Sequence, residues 1–194
     1  LKLPSNNKNL KILTVFDVGA AVGDTAITFL KSFPQAKVYC FEPLKKSFNI
    51  LNRRTKKYTY RVRLFNFGFF NESSEKDFNV SPHADGSSLL KPQGNLSKSW
   101  TEKATFKKID DFVKKENIDK IDLLKIDVEG VEKEVLEGAR EALSRVQNVF
   151  IEISFNRKGK TNGDYVKVFQ ILNETGFYLV NNYEHENFYF KKLN

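Results

Sequence analysis

Short apolar runs alternate along the chain with segments of helical spacing, and this alternation constrains the fold more than any other feature. The strand-like runs lie at 12–18, 36–41, 61–70, 121–126 and 149–153. The helical segments lie at 23–33, 44–56, 110–116, 131–143 and 165–175, and two last runs at 177–180 and 187–190 predict an antiparallel hairpin. Strands that alternate with helices are typical of a parallel sheet covered on both faces. The sequence therefore predicts an α/β, doubly wound sheet with one reversed strand.

Length and composition narrow the class of protein. The 194 residues predict a single domain over 1–194. A single cysteine, Cys40, excludes an internal disulfide framework and a cysteine-based zinc cluster, and it suits a cytoplasmic protein. No apolar run approaches the roughly 20 residues of a membrane span, so none is expected. The chain contains no methionine, which indicates a processed chain or a domain of a longer protein.

The regular pattern breaks down over 71–101, where Asn, Ser, Gly, Pro and Lys dominate. Only 77–80 suggests a short strand there. A loop of this length inside a small domain is usually functional or disordered. We expect 71–101 to be an insertion that selects the substrate. His83 lies in it, but a lone loop histidine is more often a bystander, and neither His83 nor His185 has a partner suited to a metal site.

The first strand ends in a glycine turn that leads into a helix. The turn reads D-V-G-A-A-V-G, with Asp17, Gly19 and Gly23 at fixed positions. Gly19 lets the backbone turn close to a ligand, and the free N–H groups of the next helix then face that ligand. The spacing is neither the dinucleotide G-x-G-x-x-G nor a P-loop. It indicates a small-molecule site of another kind.

A carboxylate follows the second strand. Glu42 lies nineteen residues beyond Gly23, where it can accept hydrogen bonds from both ribose hydroxyls of a nucleoside. The alternative is that Gly19 and Gly23 are ordinary turn glycines and Glu42 a solvated residue at a strand end. All three residues occur at the correct end of their elements, which favours a nucleoside site.

Two acids follow the fourth predicted strand, in the sequence L-L-K-I-D-V-E-G. Asp127 and Glu129 could activate a hydroxyl, hold a cation or orient a cofactor. Alternatively, Glu129 begins the next helix and interacts with its N-terminal dipole. The spacing alone does not support a divalent cation held by Asp127 and Glu129.

Together these motifs resemble the FkbM family of S-adenosylmethionine-dependent methyltransferases. The resemblance covers about 15–153 and depends most on K-I-D-V-E-G followed by L-E-G-A, with F-E-P around Glu42. It implies the class I methyltransferase fold, a seven-stranded, mostly parallel sheet. It also implies a cofactor-binding set of Asp17, Gly19, Ala20, Gly23, Glu42, Pro43, Asn66 and Asp127. The catalytic group it implies consists of Asp127, Glu152 and Glu129.

The chain departs from the family pattern at three places. Ala21 stands where the family often has asparagine, and Asn71 replaces the usual acid after the third strand. Many relatives carry a histidine shortly after the residue equivalent to Glu152, whereas this chain has Ile-Ser. Any role of that histidine therefore does not transfer.

The expected reaction is O-methylation of a hydroxyl on a sugar, a glycan or another small metabolite, with Asp127 as the first candidate base and Glu152 as the second. An RNA or DNA methyltransferase is the first alternative, because the net charge is +8. Nucleic acid is disfavoured, since the strand ends are acidic and the motif Asn/Asp-Pro-Pro-aromatic does not follow the fourth strand. A non-catalytic nucleoside-binding module is the second alternative. The sequence does not predict the oligomeric state.

Overall fold

A seven-stranded sheet organises the chain in the computed structural model, which describes residues 11–80, 89, 100–153, 162–183 and 186–193. The strand order is β3-β2-β1-β7-β8-β10-β9. These strands are β1 (Thr14–Val18), β2 (Lys37–Phe41), β3 (Val62–Phe65), β7 (Leu123–Ile126), β8 (Asn148–Glu152), β9 (Phe177–Tyr183) and β10 (Asn187–Lys192). The first five pair in parallel, and β10 runs antiparallel to both β8 and β9. The predicted doubly wound sheet with its C-terminal hairpin is confirmed.

Helices cover both faces of this sheet. Helices α1 (Asp24–Ser32) and α2 (Lys45–Thr55) pack on one face, while α3 (Ile109–Lys115), α4 (Glu132–Glu137) and α5 (Asn162–Glu174) pack on the other. A hydrophobic core lies on each face of the sheet, and successive side chains of β1 point to opposite faces. Val15 packs on the α1 side, whereas Phe16 and Val18 pack on the α3 side. Burial of both faces explains why the strands read as nearly continuous apolar runs.

The core on the α3 side is rich in aromatic rings. Phe112 of α3 contacts five phenylalanine rings at centroid distances between 4.9 and 6.0 Å, those of Phe16, Phe41, Phe65, Phe67 and Phe69. Each ring that is fully buried contributes roughly 1.5–3 kcal/mol of transfer free energy. This cluster fixes the chain that follows β3 against the sheet, directly below the strand ends.

A second, three-stranded sheet was not predicted. It contains β4 (Gly68–Phe69), β5 (Ser74–Val80) and β6 (Trp100–Lys107), in the order β4-β6-β5. Only Ala104 and Phe106 are buried along β6, which is too short an alternation for the sequence to reveal a strand. Strand β5 and the start of β6 fall within the predicted insertion 71–101, of which 81–88 and 90–99 lie outside the described residues.

The predicted strand 61–70 is wrong in its second half, because β3 ends at Phe65 and the chain moves to the second sheet. Asn66 ends the strand by turning its side-chain amide to the carbonyls of Glu42 and Pro43, at 2.9 and 3.0 Å. Gly68 then lies against the Phe106 ring, where an added Cβ would be 2.5 Å from a ring carbon.

The predicted helix 131–143 is also too long. Helix α4 ends at Glu137, and a separate 3-10 helix follows at Ala142–Arg145. Gly138 separates the two, because an added Cβ there would lie 2.2 Å from the carbonyl oxygen of Phe70. The carbonyl of Gly138 also accepts a hydrogen bond from the N–H of Asp110 at 3.1 Å. The break therefore permits close contact with the segment that links β4 to β5.

Candidate active site

A cavity of about 130 Å³ opens at the carboxyl ends of β1, β2 and β7. The strand order reverses between β1 and β7, which is the position at which open α/β sheets bind ligands. The cavity wall comes from the glycine turn, the chain after β2, the second sheet and the loop after β7. Its lining residues are Val18, Gly19, Ala21, Glu42, Pro43, Leu44, Ser47, Gly68, Phe69, Phe78, Phe106, Asp127, Val128, Glu129 and Val131.

The glycine turn after β1 has the form that its residues predict. Gly19 has φ +78°, and an added Cβ would lie only 1.8 Å from the carbonyl oxygen of Asp127. The N–H groups of Gly19 and Ala20 both donate to the carbonyl of Phe41, at 3.1 and 3.0 Å. Gly23 has φ +93° and serves as the N-cap of α1, where it makes room for Leu51 of α2. The turn therefore depends on glycine at two positions.

Glu42 is buried in the cavity wall and held by the backbone. Its Oε2 accepts a hydrogen bond from the N–H of Ala21 at 2.9 Å, and its Oε1 accepts one from Leu44 at 2.8 Å. Burial raises the pKa of Glu42 to about 7, although both backbone hydrogen bonds act in the opposite direction. Each carboxylate oxygen has a second lone pair, so Glu42 can still accept two hydroxyl donors.

Sequence reasoning gave Lys125 no role, yet it lies behind the cavity among three oxygens. Its Nζ is 3.1 Å from Asp17 Oδ1 and 3.2 Å from Asp127 Oδ2, and it donates to the carbonyl of Gly19 at 3.0 Å. Burial acts to lower the pKa of Lys125, but the two carboxylates outweigh it and raise the pKa. For Asp17, burial outweighs the ammonium and raises the pKa. The sequence signal that could have identified Lys125 is its position as a lysine within the apolar run of β7.

Further carboxylates lie near the end of β7. Glu129 adopts φ +58°, and Gly130 follows with φ +115°, so the chain turns sharply before α4. Glu132, which sequence reasoning also missed, is fully buried and accepts a hydrogen bond from the Gly130 N–H at 2.6 Å. Glu152 at the end of β8 is half-buried, and burial together with the charge of Asp127 raises its pKa to about 7.

Five of the predicted residues line the cavity: Gly19, Glu42, Pro43, Asp127 and Glu129. The other five are not part of its wall: Asp17, Ala20, Gly23, Asn66 and Glu152. Asp17 is fully buried and contacts Lys125. Asn66 supports the Glu42–Pro43 backbone rather than reaching the cavity. The structure thus brings half of the predicted set into one cavity wall, while the role of each residue stays a prediction.

Two aromatic residues of the second sheet also belong to the wall. Phe78 of β5 and Phe106 of β6 stack with their centroids 6.1 Å apart. The predicted loop histidines His83 and His185 lie outside the described residues. Within the described ranges, no group of three or more His, Cys, Asp and Glu side chains could hold a metal ion. None of the helices in those ranges is long and apolar enough to cross a membrane.

The residues that line the cavity fit a nucleoside with a charged amino-acid end. Glu42 offers acceptors for ribose hydroxyls, and the turn at Gly19 brings the backbone close to the cavity without a side chain in the way. The apolar residues Leu44, Phe69 and Phe78 offer a surface for a flat ring. Acidic Asp127 and Glu129 suit the cationic part of such a molecule.

Several curated proteins with similar sequences are named as methyltransferases. The chain is 27% identical over 154 residues to the 2-O-methyltransferase NoeI of Sinorhizobium fredii, covering 72% of this chain and 63% of that protein. It is 30% identical over 142 residues to the hexuronic acid methyltransferase AglP of Haloferax volcanii, covering 72% of this chain and 55% of that protein. The chain thus spans somewhat more than half the length of these relatives.

Solved structures share the fold. The FkbM methyltransferase of Methylobacillus flagellatus KT superposes with a TM-score of 0.64 at 17% identity, covering 93% of this chain and 44% of that one. A structure described as a "putative rRNA-methylase from Clostridium thermocellum" gives a TM-score of 0.57 at 11% identity, covering 93% of this chain and 87% of that one. At these identities the likeness concerns the fold alone.

The family comparison decides the assignment. The model described as "Methyltransferase FkbM domain" matches residues 17–179, from the acid that opens the glycine turn into β9. That range includes every predicted site residue and the whole of the second sheet. The chain therefore belongs to the FkbM family of methyltransferases.

Proposed function

We propose that the chain is an S-adenosylmethionine-dependent O-methyltransferase that acts on a hydroxyl of a sugar, a glycan or another small metabolite. The observation that carries this proposal is Glu42, whose buried carboxylate is held by two backbone N–H groups in the wall of a cavity that Asp127 also lines. FkbM-family methyltransferases generally use S-adenosylmethionine. The names of two relatives, a 2-O-methyltransferase and a hexuronic acid methyltransferase, support an oxygen atom on a carbohydrate as the acceptor.

The cofactor would be held by groups already in place. Glu42 would accept hydrogen bonds from the ribose hydroxyls, and the turn at Gly19 would surround the amino-acid end. When bound, S-adenosylmethionine supplies a methyl group on a positively charged sulfur. Asp127 and Glu129 line the same cavity and would supply carboxylates to face that charge. Positioning supplies most of the rate for such a transfer, because the methyl group needs only an in-line nucleophile.

The acceptor hydroxyl must lose its proton, and two carboxylates are candidates to accept it. Asp127 lines the cavity directly, although one of its oxygens lies 3.2 Å from the Lys125 ammonium. Glu152 does not line the cavity, but burial and the charge of Asp127 raise its pKa to about 7. A base works best when its pKa is near the working pH, which supports Glu152. Asp127 is supported by its position.

Binding of S-adenosylhomocysteine, measured by titration calorimetry, tests the cofactor part of the proposal. We expect saturable one-to-one binding to the unaltered chain and at least tenfold weaker binding to Glu42→Ala, because the ribose hydroxyls would lose a charged acceptor. Glu141→Gln is the control, since Glu141 is exposed and outside the cavity wall, and it should bind as the unaltered chain does. No binding by the unaltered chain would contradict the proposal.

Transfer of a labelled methyl group tests the acceptor. The panel should contain neutral sugars, uronic acids, phosphorylated sugars and RNA, each at low and high salt. We expect incorporation into a carbohydrate hydroxyl. The excess of lysine in the chain supports an anionic sugar over a neutral one. Incorporation into RNA alone would overturn the carbohydrate assignment and leave methyl transfer itself in place.

A further inference from the structure

We propose that Lys125 is a positioning residue, whose buried ammonium ties the glycine turn after β1 to the acidic end of β7. By joining Gly19 to Asp127, it would fix two walls of the cavity relative to each other. Lys125 does not itself line the cavity, so it would act through its neighbours. The inference rests on the proposed function, because it concerns the shape of the cofactor cavity.

Three oxygens lie around the Lys125 ammonium: the Gly19 carbonyl accepts a hydrogen bond from it, and the carboxylates of Asp17 and Asp127 form ion pairs with it. The distances are 3.0 Å to the Gly19 carbonyl, 3.1 Å to Asp17 and 3.2 Å to Asp127. The Lys125 side chain is 3% exposed and that of Asp17 is fully buried. Asp17 and Lys125 are also register partners in the parallel pairing of β1 with β7. Asp17 is thus ion-paired with Lys125, although neither of its carboxylate oxygens has a hydrogen-bond partner among the described residues.

Packing alone gives no reason for a lysine at this place. Leu123, Leu124 and Ile126 form the rest of β7 and are all buried. An apolar residue at position 125 would avoid the cost of removing an ammonium from water. Buried ion pairs are often replaceable by apolar groups without loss of stability. A contribution to the site explains the lysine better than a contribution to the fold.

Two of the three oxygens belong to residues of the cavity wall. Gly19 contributes the turn, and the side chain of Asp127 is 30% exposed. Asp17 is the exception: it does not line the cavity, and its buried carboxylate balances the charge of the Lys125 ammonium. Without the ammonium, the Gly19 carbonyl and the Asp127 carboxylate would lose their common partner. The turn and the end of β7 would then be free to move relative to each other.

The test separates a role in positioning from a role as charge partner. The double variant D17N/K125M removes both buried charges, so the unfolding free energy should remain close to that of the unaltered chain. The tie to Gly19 and Asp127 is nevertheless lost. We therefore expect about tenfold weaker binding of S-adenosylhomocysteine, measured by calorimetry.

The control is D77N/K103M. Asp77 and Lys103 are register partners on β5 and β6, and their charged atoms are 3.1 Å apart like those of the buried pair, but both side chains are exposed. This control should change the melting temperature by no more than a few degrees. It should leave the affinity for S-adenosylhomocysteine unchanged. The single variant K125M should be much less stable than the double variant, because it leaves Asp17 buried and unpaired.

Each other outcome contradicts the inference. Unchanged affinity in the folded D17N/K125M variant would show that Lys125 serves only as the partner of Asp17. A double variant that does not fold would show that Lys125 is needed for the sheet itself. If the unaltered chain does not bind S-adenosylhomocysteine, the proposed function fails and this inference fails with it. The first two outcomes leave the proposed function intact.

Discussion

Replacement of Gly19 by alanine should be among the most damaging single-methyl additions in the chain. Two separate effects act there. The backbone has φ +78°, where alanine is disfavoured by about 1–2 kcal/mol. In addition, the new Cβ would lie 1.8 Å from the carbonyl oxygen of Asp127, which is main chain and cannot rotate away. The turn and the end of β7 must therefore separate by more than an ångström.

That separation would strain three hydrogen bonds of the turn. The N–H of Gly19 donates to Phe41 at 3.1 Å, that of Ala20 donates to the same carbonyl at 3.0 Å, and the Gly19 carbonyl accepts from Lys125 at 3.0 Å. Each is worth about 1 kcal/mol, and the bond to the ammonium somewhat more. Together with the backbone effect, we expect Gly19→Ala to lower the free energy of unfolding by about 3–5 kcal/mol.

Gly176→Ala is the matched control. Gly176 follows α5 with φ +86°, but the nearest atom to its added Cβ is Lys192 Cε at 3.8 Å, which is ordinary contact. Only the backbone effect applies, so the loss should be about 1–2 kcal/mol. Urea unfolding followed by circular dichroism measures both variants, and S-adenosylhomocysteine binding should weaken only in Gly19→Ala. Equal losses of stability in the two variants would refute the argument from close contact.

Three further predictions concern the site. Burial raises the pKa of Glu42 to about 7, and the ionised carboxylate is the better acceptor. Binding of S-adenosylhomocysteine should therefore weaken about tenfold from pH 8 to pH 6. A Glu42→Gln variant with the same pH dependence would contradict this. Ala21 has φ +47°, so Ala21→Asn should raise the free energy of unfolding by about 0.5–1 kcal/mol in urea titrations, and a loss would count against backbone strain there. If Glu152 is the base, Glu152→Gln should slow methyl transfer by about 10²–10⁴-fold with S-adenosylhomocysteine affinity nearly unchanged, and the rate of the unaltered chain should rise with pH to a plateau above about 7. Transfer at the original rate would leave Asp127 as the candidate.

Local signals made the core of the site predictable. Gly19 and Glu42 each follow an apolar run, and the carboxyl ends of neighbouring parallel strands meet at one edge of a sheet. The pattern therefore implied that these residues lie together, and the structure confirms it: the Glu42 carboxylate accepts a hydrogen bond from the turn that Gly19 begins. Asp127 could be found for the same reason, since it directly follows β7.

What remained hidden depends on contacts between distant parts of the chain. The surroundings of Lys125 arise only because β1 and β7 are neighbours in the sheet, although about a hundred residues separate them. Phe78 and Phe106 reach the cavity through a second sheet whose strands carry few apolar residues. The early end of α4 depends on Gly138 lying against the Phe70 carbonyl. Periodicity along the sequence contains none of this information.

The place of β1 between β2 and β7 in the interior of the sheet has a consequence during synthesis. Strand β1 pairs with β2 on one side soon after it is made, but its other neighbour, β7, begins only at Leu123. At ribosomal rates of 5–20 residues per second, roughly 5–20 seconds pass before β7 can pair with the free backbone edge of β1, whose residues Val15, Phe16 and Val18 are apolar. During that time the nascent chain exposes an unpaired strand edge that can pair with other polypeptides. Yield in the cell should therefore depend on chaperone supply more strongly than the stability of the finished protein would suggest.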